Sequence, residues 1–399
     1  NYLQHRFGFF SYKTGSLFFI LSRTIGATAR LYLVINVLQI FILDRLGIPF
    51  TVTTIIILLM ILLYTFEGGV KTIVYTDTLQ TSFMLLGLII CVIYIMSNLN
   101  LNISSALETL NSKNYLDIFN TDPGSKGFFV KQIIGGAFIT IAMTGLDQEM
   151  MQKNISVKNL KDSQKNIVTF STVIVFVNFL FLLLGGLLYL YALQNGGAYE
   201  GKQLMVDGKN IIGDDLFPTV ALQYLPQAIG IIFIIGLISA LFPSADGALT
   251  ALTSSFCIDL LGLKRREGWD EGKKRRVRLT VHISFTIVFL ICILIFKMID
   301  NKSIIYVILD IAGYTYGPLL GLFAFGILTR RTFKDGIIVT VICLLAPLLS
   351  YFLSKYSATI LGGYQIGIEL LIINGLLTFL GLFIISKPGI KSSSELQSA

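Results

Sequence analysis

The chain has 399 residues, of which 54% are hydrophobic and only 14% charged, with a formal net charge of +8. That balance excludes a water-soluble globular protein of ordinary composition, in which about a quarter of the residues carry charge. It also excludes a nucleic-acid surface, because the excess Lys and Arg do not form one continuous basic face. They gather in alternate hydrophilic loops, as the positive-inside rule requires of a membrane protein with a cytoplasmic N-terminus.

Apolar runs near twenty residues recur, each long enough to cross about 30 Å of hydrocarbon. They are too long and too uniformly apolar for barrel strands, and in lipid the backbone must satisfy its own hydrogen bonds. The expected fold class is therefore an all-α polytopic membrane protein embedded in the lipid bilayer. The predicted spans are 14–43, 50–66, 70–96, 127–151, 167–194, 227–261, 278–298, 303–329, 335–354 and 365–386. Residues 1–399 are expected to form a single transmembrane domain of the plasma (inner) membrane, with 388–399 as a cytoplasmic tail.

In chain order, the start NYLQHRFGFFSYK reads as a basic cytoplasmic loop, with neither an initiator Met nor a signal peptide, and further sequence upstream is expected. The first span carries Arg23 and Arg30. Asp77 falls in the third, where a carboxylate costs roughly 3 kcal/mol on insertion scales. It belongs to an ion or proton pathway, or pairs with Arg23 or Arg30, or lies close enough to the cytoplasmic end to reach water. Span 127–151 contains Gly135, Gly136 and Gly145. The basic runs KNLKDSQK (158–165) and 264–278 are expected on the cytoplasmic side, where topology accounts for them and anionic headgroups are a further possible contact. The loops 97–126 and 195–226 are expected outside and carry Glu108, Asp117, Asp207, Asp214 and Asp215. Asp246 and Asp310 fall within later spans.

Cys91, Cys257, Cys292 and Cys343 lie in or at the ends of apolar helices without metal-ligand spacing, and His5 and His282 are far apart. Neither a zinc site nor a Gly-x-Ser-x-Gly nucleophile is present, so an enzyme is not expected.

YLQHRFG, EGGVKTIVYTDTLQ, MTGLDQEMMQKNISVKNLKDSQK and SALFPSADGALTALTSSFCIDLL occur in this order and together span most of the chain. In this arrangement the sequence resembles the sodium:solute symporter family, which includes the sodium/glucose cotransporters. The resemblance implies a leucine-transporter-like core of two inverted five-helix repeats with peripheral helices. The YLxxRFG loop follows the second core helix in that family, so the first span here would be the third of the core and the chain N-terminally incomplete. Spans 70–96 and 303–329 would end the two repeats, 127–151 would begin the second, and the last two spans would lie outside the core.

Sodium is a hard cation that takes oxygen ligands. By resemblance, one sodium site would use the Ala240 carbonyl and Ser244, and a second would use Asp77 with Asp246 and Gly247. Pro243 departs from the family, which usually has two adjacent hydroxyl residues there, so a proton-coupled carrier stands as the alternative. For the solute, the resemblance points to Met143, Thr144, Asp147 and Gln148 around a helix break at Thr144-Gly145, and to Asp310 and Tyr314. Asp147 and Gln148 could equally cap a helix end, Asp310 could be solvated near the outer surface, and Tyr314 and Tyr316 either line one cavity or anchor at the interface. Met143 replaces an aromatic of the sugar carriers and Asp310 an amide, which implies a solute other than a plain hexose, with cations or donor-rich polyols favoured. The implied function is sodium-coupled import of a small organic solute by alternating access, against an inactive, truncated or sensor-type membrane module.

Overall fold

The computed structural model describes residues 2–67, 70–117, 119–147, 157, 159–200, 203–206, 209–211, 213–266, 268–299 and 304–388. Among the described residues a helix lies in each predicted span. Seven are long and apolar enough to cross a membrane by length and composition, and Phe50–Leu63, Phe129–Gly145 and Leu370–Ile385 are shorter apolar helices. In order the elements are α1 (Tyr2–Arg6), α2 (Phe9–Leu38), α3 (Phe50–Glu67), α4 (Val70–Asn98), α5 (Ile103–Ser112), α6 (Phe129–Thr140) and α7 (Leu160–Gln194). A small sheet follows, then α8 (Gly213–Thr219), α9 (Gln227–Ser255), α10 (Glu271–Ile299), α11 (Ile304–Leu328), α12 (Ile337–Lys355), α13 (Ser357–Ile360) and α14 (Leu370–Ile385).

Three differences from the expected boundaries have physical causes. The KKRR run is the opening of α10 rather than a loop, because the Asp270 carboxylate accepts the Lys273 N–H at 3.4 Å and Lys and Arg are good helix formers. The loop at 195–226 is not wholly irregular. Gly196, at φ 95°, turns the chain out of α7 into an antiparallel sheet of β1 (Ala198–Glu200), β2 (Gln203–Val206) and β3 (Lys209–Ile211). In span 127–151 the break expected at Thr144-Gly145 takes the form of a widened turn over Ile141–Gly145, so α6 itself ends at Thr140.

Packing divides into three apolar clusters. One joins α4, α7, α8 and α9 through residues such as Leu88, Leu187 and Val220. A second joins α2, α3, α9 and α10 through Leu31, Ile61, Leu249 and Phe289. The third joins the start of α2 to α11, α12 and α14 through Phe19, Phe325 and Leu382. Helix α2 takes part in both of the last two clusters, which puts it at the centre of the bundle.

Between α11 and α14 the backbones come together along Gly313, Gly317 and Gly321, a small-xxx-small row of the kind that lets membrane helices approach closely. A side chain at Gly317 would collide with Asn374, and a Cβ at Gly321 would lie 2.6 Å from the Gly375 carbonyl oxygen. The Asn374 amide donates to the carbonyls of Gly313 and Tyr314 at 3.0 and 2.8 Å. At the basic end, Asp335 caps the start of α2 by accepting the N–H groups of Phe10 and Ser11 at 2.7 and 2.9 Å.

Candidate functional site

The site is built where α2, the broken end of α6, α9 and α11 meet. The widened turn after α6 ends its helix at Gly145, so Leu146 and Asp147 leave the helical path inside the bundle. Asp147 is 1% exposed, and its carboxylate meets the Arg23 guanidinium of α2 at 3.1 Å. A buried charge must be compensated, and here the compensation links the broken helix to the central span. Tyr316 of α11 is buried against the same layer, within electrostatic reach of Arg23, Arg30 and Asp147 and beside the Ser22 hydroxyl.

Below this layer, toward the basic end, lies a cavity of about 620 Å3 whose wall includes Tyr12, Phe19, Asp147, Asp259 and Phe323. Its polar surface is ordered. The Tyr12 hydroxyl donates to Asp259 Oδ1 at 2.6 Å and the Ser255 hydroxyl donates to Asp259 Oδ2 at 2.7 Å.

The other carboxylates lie where α4 runs antiparallel to α9. Gly87 lies beside Ile232 and Gly236 beside Met84, a register that carries Asp77 to the level of residues 242–243, with Asp246 about one turn beyond them. Asp246 is 1% exposed and Asp77 half-buried. Ala240 is half-buried in α9, Gly247 is buried, and residues 241–244 are helical, the side chain of Ser244 lying outside the described residues. Carboxylate, carbonyl and hydroxyl groups at this crossing are the donor set that a hard monovalent cation takes. Among the described residues no group of three His, Cys, Asp or Glu side chains converges, so a transition-metal site has no support there.

The residues expected around the solute separate. Asp147 belongs to the charged layer, Met143 packs half-buried against the third apolar cluster, and Thr144 is exposed. Gln148 lies outside the described residues. Asp310 is exposed near the start of α11, and the Tyr314 ring packs on Tyr351 of α12 with centroids 6.1 Å apart. Tyr314 and Tyr316 therefore do not line one cavity: two residues of helix put them on opposite faces, one toward the peripheral helices and one toward Arg23. Arg23 meets the Asp147 carboxylate, a partner the sequence reading did not name for it. The signal for this pair was a mid-span arginine and an acid beside a helix break, but neither position encodes which acid comes near.

Comparison with known proteins agrees with this architecture. The chain is 25% identical over 364 residues to the sodium/sialic acid symporter SiaT of Proteus mirabilis, covering 86% of this chain and 68% of that protein. It is 21% identical over 335 residues to a sodium/glucose cotransporter of Vibrio parahaemolyticus, covering 78% and 60%. A solved structure of a Na+-coupled sialic acid symporter in a substrate-bound, outward-open state superposes with a TM-score of 0.77 at 21% identity, covering 96% of this chain and 75% of that one. The fold is thus the leucine-transporter-like inverted repeat that the motifs implied, in a multi-pass membrane protein. The family model for the sodium:solute symporters matches residues 2–343, and the chain belongs to that family.

Proposed function

We propose that the chain is the carrier portion of a sodium-coupled symporter of the plasma membrane that imports a small organic solute by alternating access. The observation that carries this reading is the buried charged layer at a broken helix, Asp147 against Arg23, directly above a polar cavity at the basic end. Broken helices near the midplane are where inverted-repeat transporters bind ion and solute. Coupling requires one conformational equilibrium that both ligands bias, with sodium favouring the state that receives the solute.

Sodium, as cargo, would be held at the α4–α9 crossing by the Ala240 carbonyl, Ser244, Asp77 and Asp246. The expected result of Asp77→Asn or Asp246→Asn is a higher sodium concentration for half-maximal uptake in proteoliposomes. Uptake driven by a proton gradient and indifferent to sodium would replace this reading by proton coupling, for which Pro243 is the motivating residue.

For the solute, two relatives are named as sodium/sialic acid symporters, and sialic acid is an acidic sugar. Arg30 supports a solute of that class here. It is half-buried seven residues beyond Arg23, hence on the same face of α2, and a guanidinium is suited to a carboxylate by its paired N–H donors. On this reading exposed Asp310 acts at the rim of the pathway and repels anions only weakly. Arg30→Gln should abolish uptake of an acidic sugar while Asp310→Gln leaves it. Strong sodium-driven uptake of a neutral hexose, unaffected by Arg30→Gln, would exclude the acidic-sugar assignment without touching the sodium coupling.

A further inference from the structure

A second cavity, which shares Ile258 and Lys264 with the wall of the first but not the Arg23–Asp147 layer, opens at the basic end between α3, the end of α9 and the start of α10, with a volume of about 640 Å3. Its floor is a closed polar network. His282 is 7% exposed, with Nε2 at 2.8 Å from the Thr65 hydroxyl and Nδ1 at 2.9 Å from the Thr253 hydroxyl. That network joins three helices and gives the cavity a fixed base.

The walls carry a different charge. Lys264, Lys274, Arg275 and Arg278 all line the cavity, against one acid, Glu271, which is already bonded to Lys274 at 3.1 Å. Positive-inside topology explains why basic residues lie at this end of the bundle. It does not explain why they converge on a cavity with a built floor, nor why they differ in engagement. Arg266 and Lys273, on the outside of the same segment, stack on the Trp269 ring at 4.4 and 4.3 Å. No hydrogen bond or ion pair engages the charged ends of Lys264, Arg275 or Arg278 among the described residues.

We propose that this cavity is a binding site for an anionic phosphate group that carries no cation of its own, taken between Lys264, Arg275 and Arg278 above the Thr65–His282–Thr253 floor. Two guanidinium groups and an ammonium supply forked and point donors for the phosphate oxygens. The group could come from an anionic phospholipid headgroup at the membrane surface or from free phosphate, and the same side chains would read either.

The test uses the full chain, stripped of lipid in neutral detergent. Binding is measured by native mass spectrometry and thermal shift with three probes: inorganic phosphate, dihexanoyl phosphatidylglycerol and zwitterionic dihexanoyl phosphatidylcholine. Saturable binding of phosphatidylglycerol or phosphate is expected, with affinity falling about tenfold or more in Arg275→Gln/Arg278→Gln. The control Arg266→Gln/Lys273→Gln removes the same charge from the Trp269 stack and should leave binding within roughly a factor of two. Arg275→Lys/Arg278→Lys should retain part of the binding and shows that the fold survives substitution there. Preference for phosphatidylglycerol over phosphate assigns the site to the bilayer, and the reverse preference to a soluble ligand. Absence of saturable binding by either phosphate probe, equal losses in the two Gln double variants, or equal binding of phosphatidylcholine would overturn the proposal.

Discussion

Two contacts of α11 show opposite solutions to the problem of joining helices in lipid. On one side Gly313, Gly317 and Gly321 let α14 approach until backbone meets backbone, and Asn374 bonds directly to main-chain carbonyls. On the other, Tyr316 faces a layer held by the Arg23–Asp147 ion pair beside a cavity. Without a hydrophobic driving force between helices, the first contact relies on shape and dispersion. The second relies on charges that must remain paired. A close-packed seam has one arrangement, whereas a polar layer beside open space has the room and the interactions to exist in more than one. The contrast leads to the expectation that the seam serves as scaffold and the charged layer as the part that rearranges.

The largest expected effect lies in the charged layer. Asp147→Asn removes one partner of a buried pair, a loss of about 3–5 kcal/mol, and should abolish uptake and lower the unfolding temperature. Arg23→Gln should do the same. The double variant should recover much of the stability but not the transport, as read by fluorescence size exclusion and uptake. Additive losses in the double variant would show that the two residues do not act as a pair.

On the seam, Gly321→Ala should destabilise by about 1–3 kcal/mol, because the added methyl meets the Gly375 carbonyl oxygen and the Cβ of Thr378, both fixed by the backbone of α14. Protein that still folds should keep its half-saturating sodium concentration. A shift in that concentration would break the distinction between scaffold and moving layer.

Asn374→Ala tests the same seam more gently, at about 0.6–1.7 kcal/mol for an interhelical hydrogen-bonding side chain. The change should appear in the unfolding temperature alone.

The smallest effect lies outside the spans, where Tyr364 donates to Glu369 at 2.9 Å and Lys131 sits 3.4 Å over its ring. Burial, together with the bond to Glu369, pushes the phenol up to about 12. The raised value means that the protonated phenol is favoured by folding, so its contribution is complete below the ordinary tyrosine value near 10 and is lost as pH rises toward 12. Ultraviolet difference titration should find this tyrosine among the last to ionise, and Glu369→Gln should bring it down. No change in that variant would remove the Glu369 contribution.

The sequence alone determined what a linear pattern can carry. Runs of apolar residues gave the spans, because hydrocarbon thickness sets their length wherever they lie in the fold. Linked motifs gave the family, and glycine at 145 marked the helix break. Helix boundaries at the basic ends were less legible, since a basic run reads as loop when only hydropathy is considered and as helix once Asp270 caps it. Tertiary structure alone decided the pairings. In the sequence several acids are candidates for Arg23, and only the path of the chain after Gly145 brings Asp147 to it. The separation of Tyr314 from Tyr316, the gathering of Lys264 with Arg275 and Arg278 around His282, and the fit of α11 against α14 are equally matters of which helix faces which. Membrane helices share nearly the same apolar composition on every face, so hydropathy does not tell one face from another, and neighbours are chosen by shape and by a few charges whose partners lie far away in sequence.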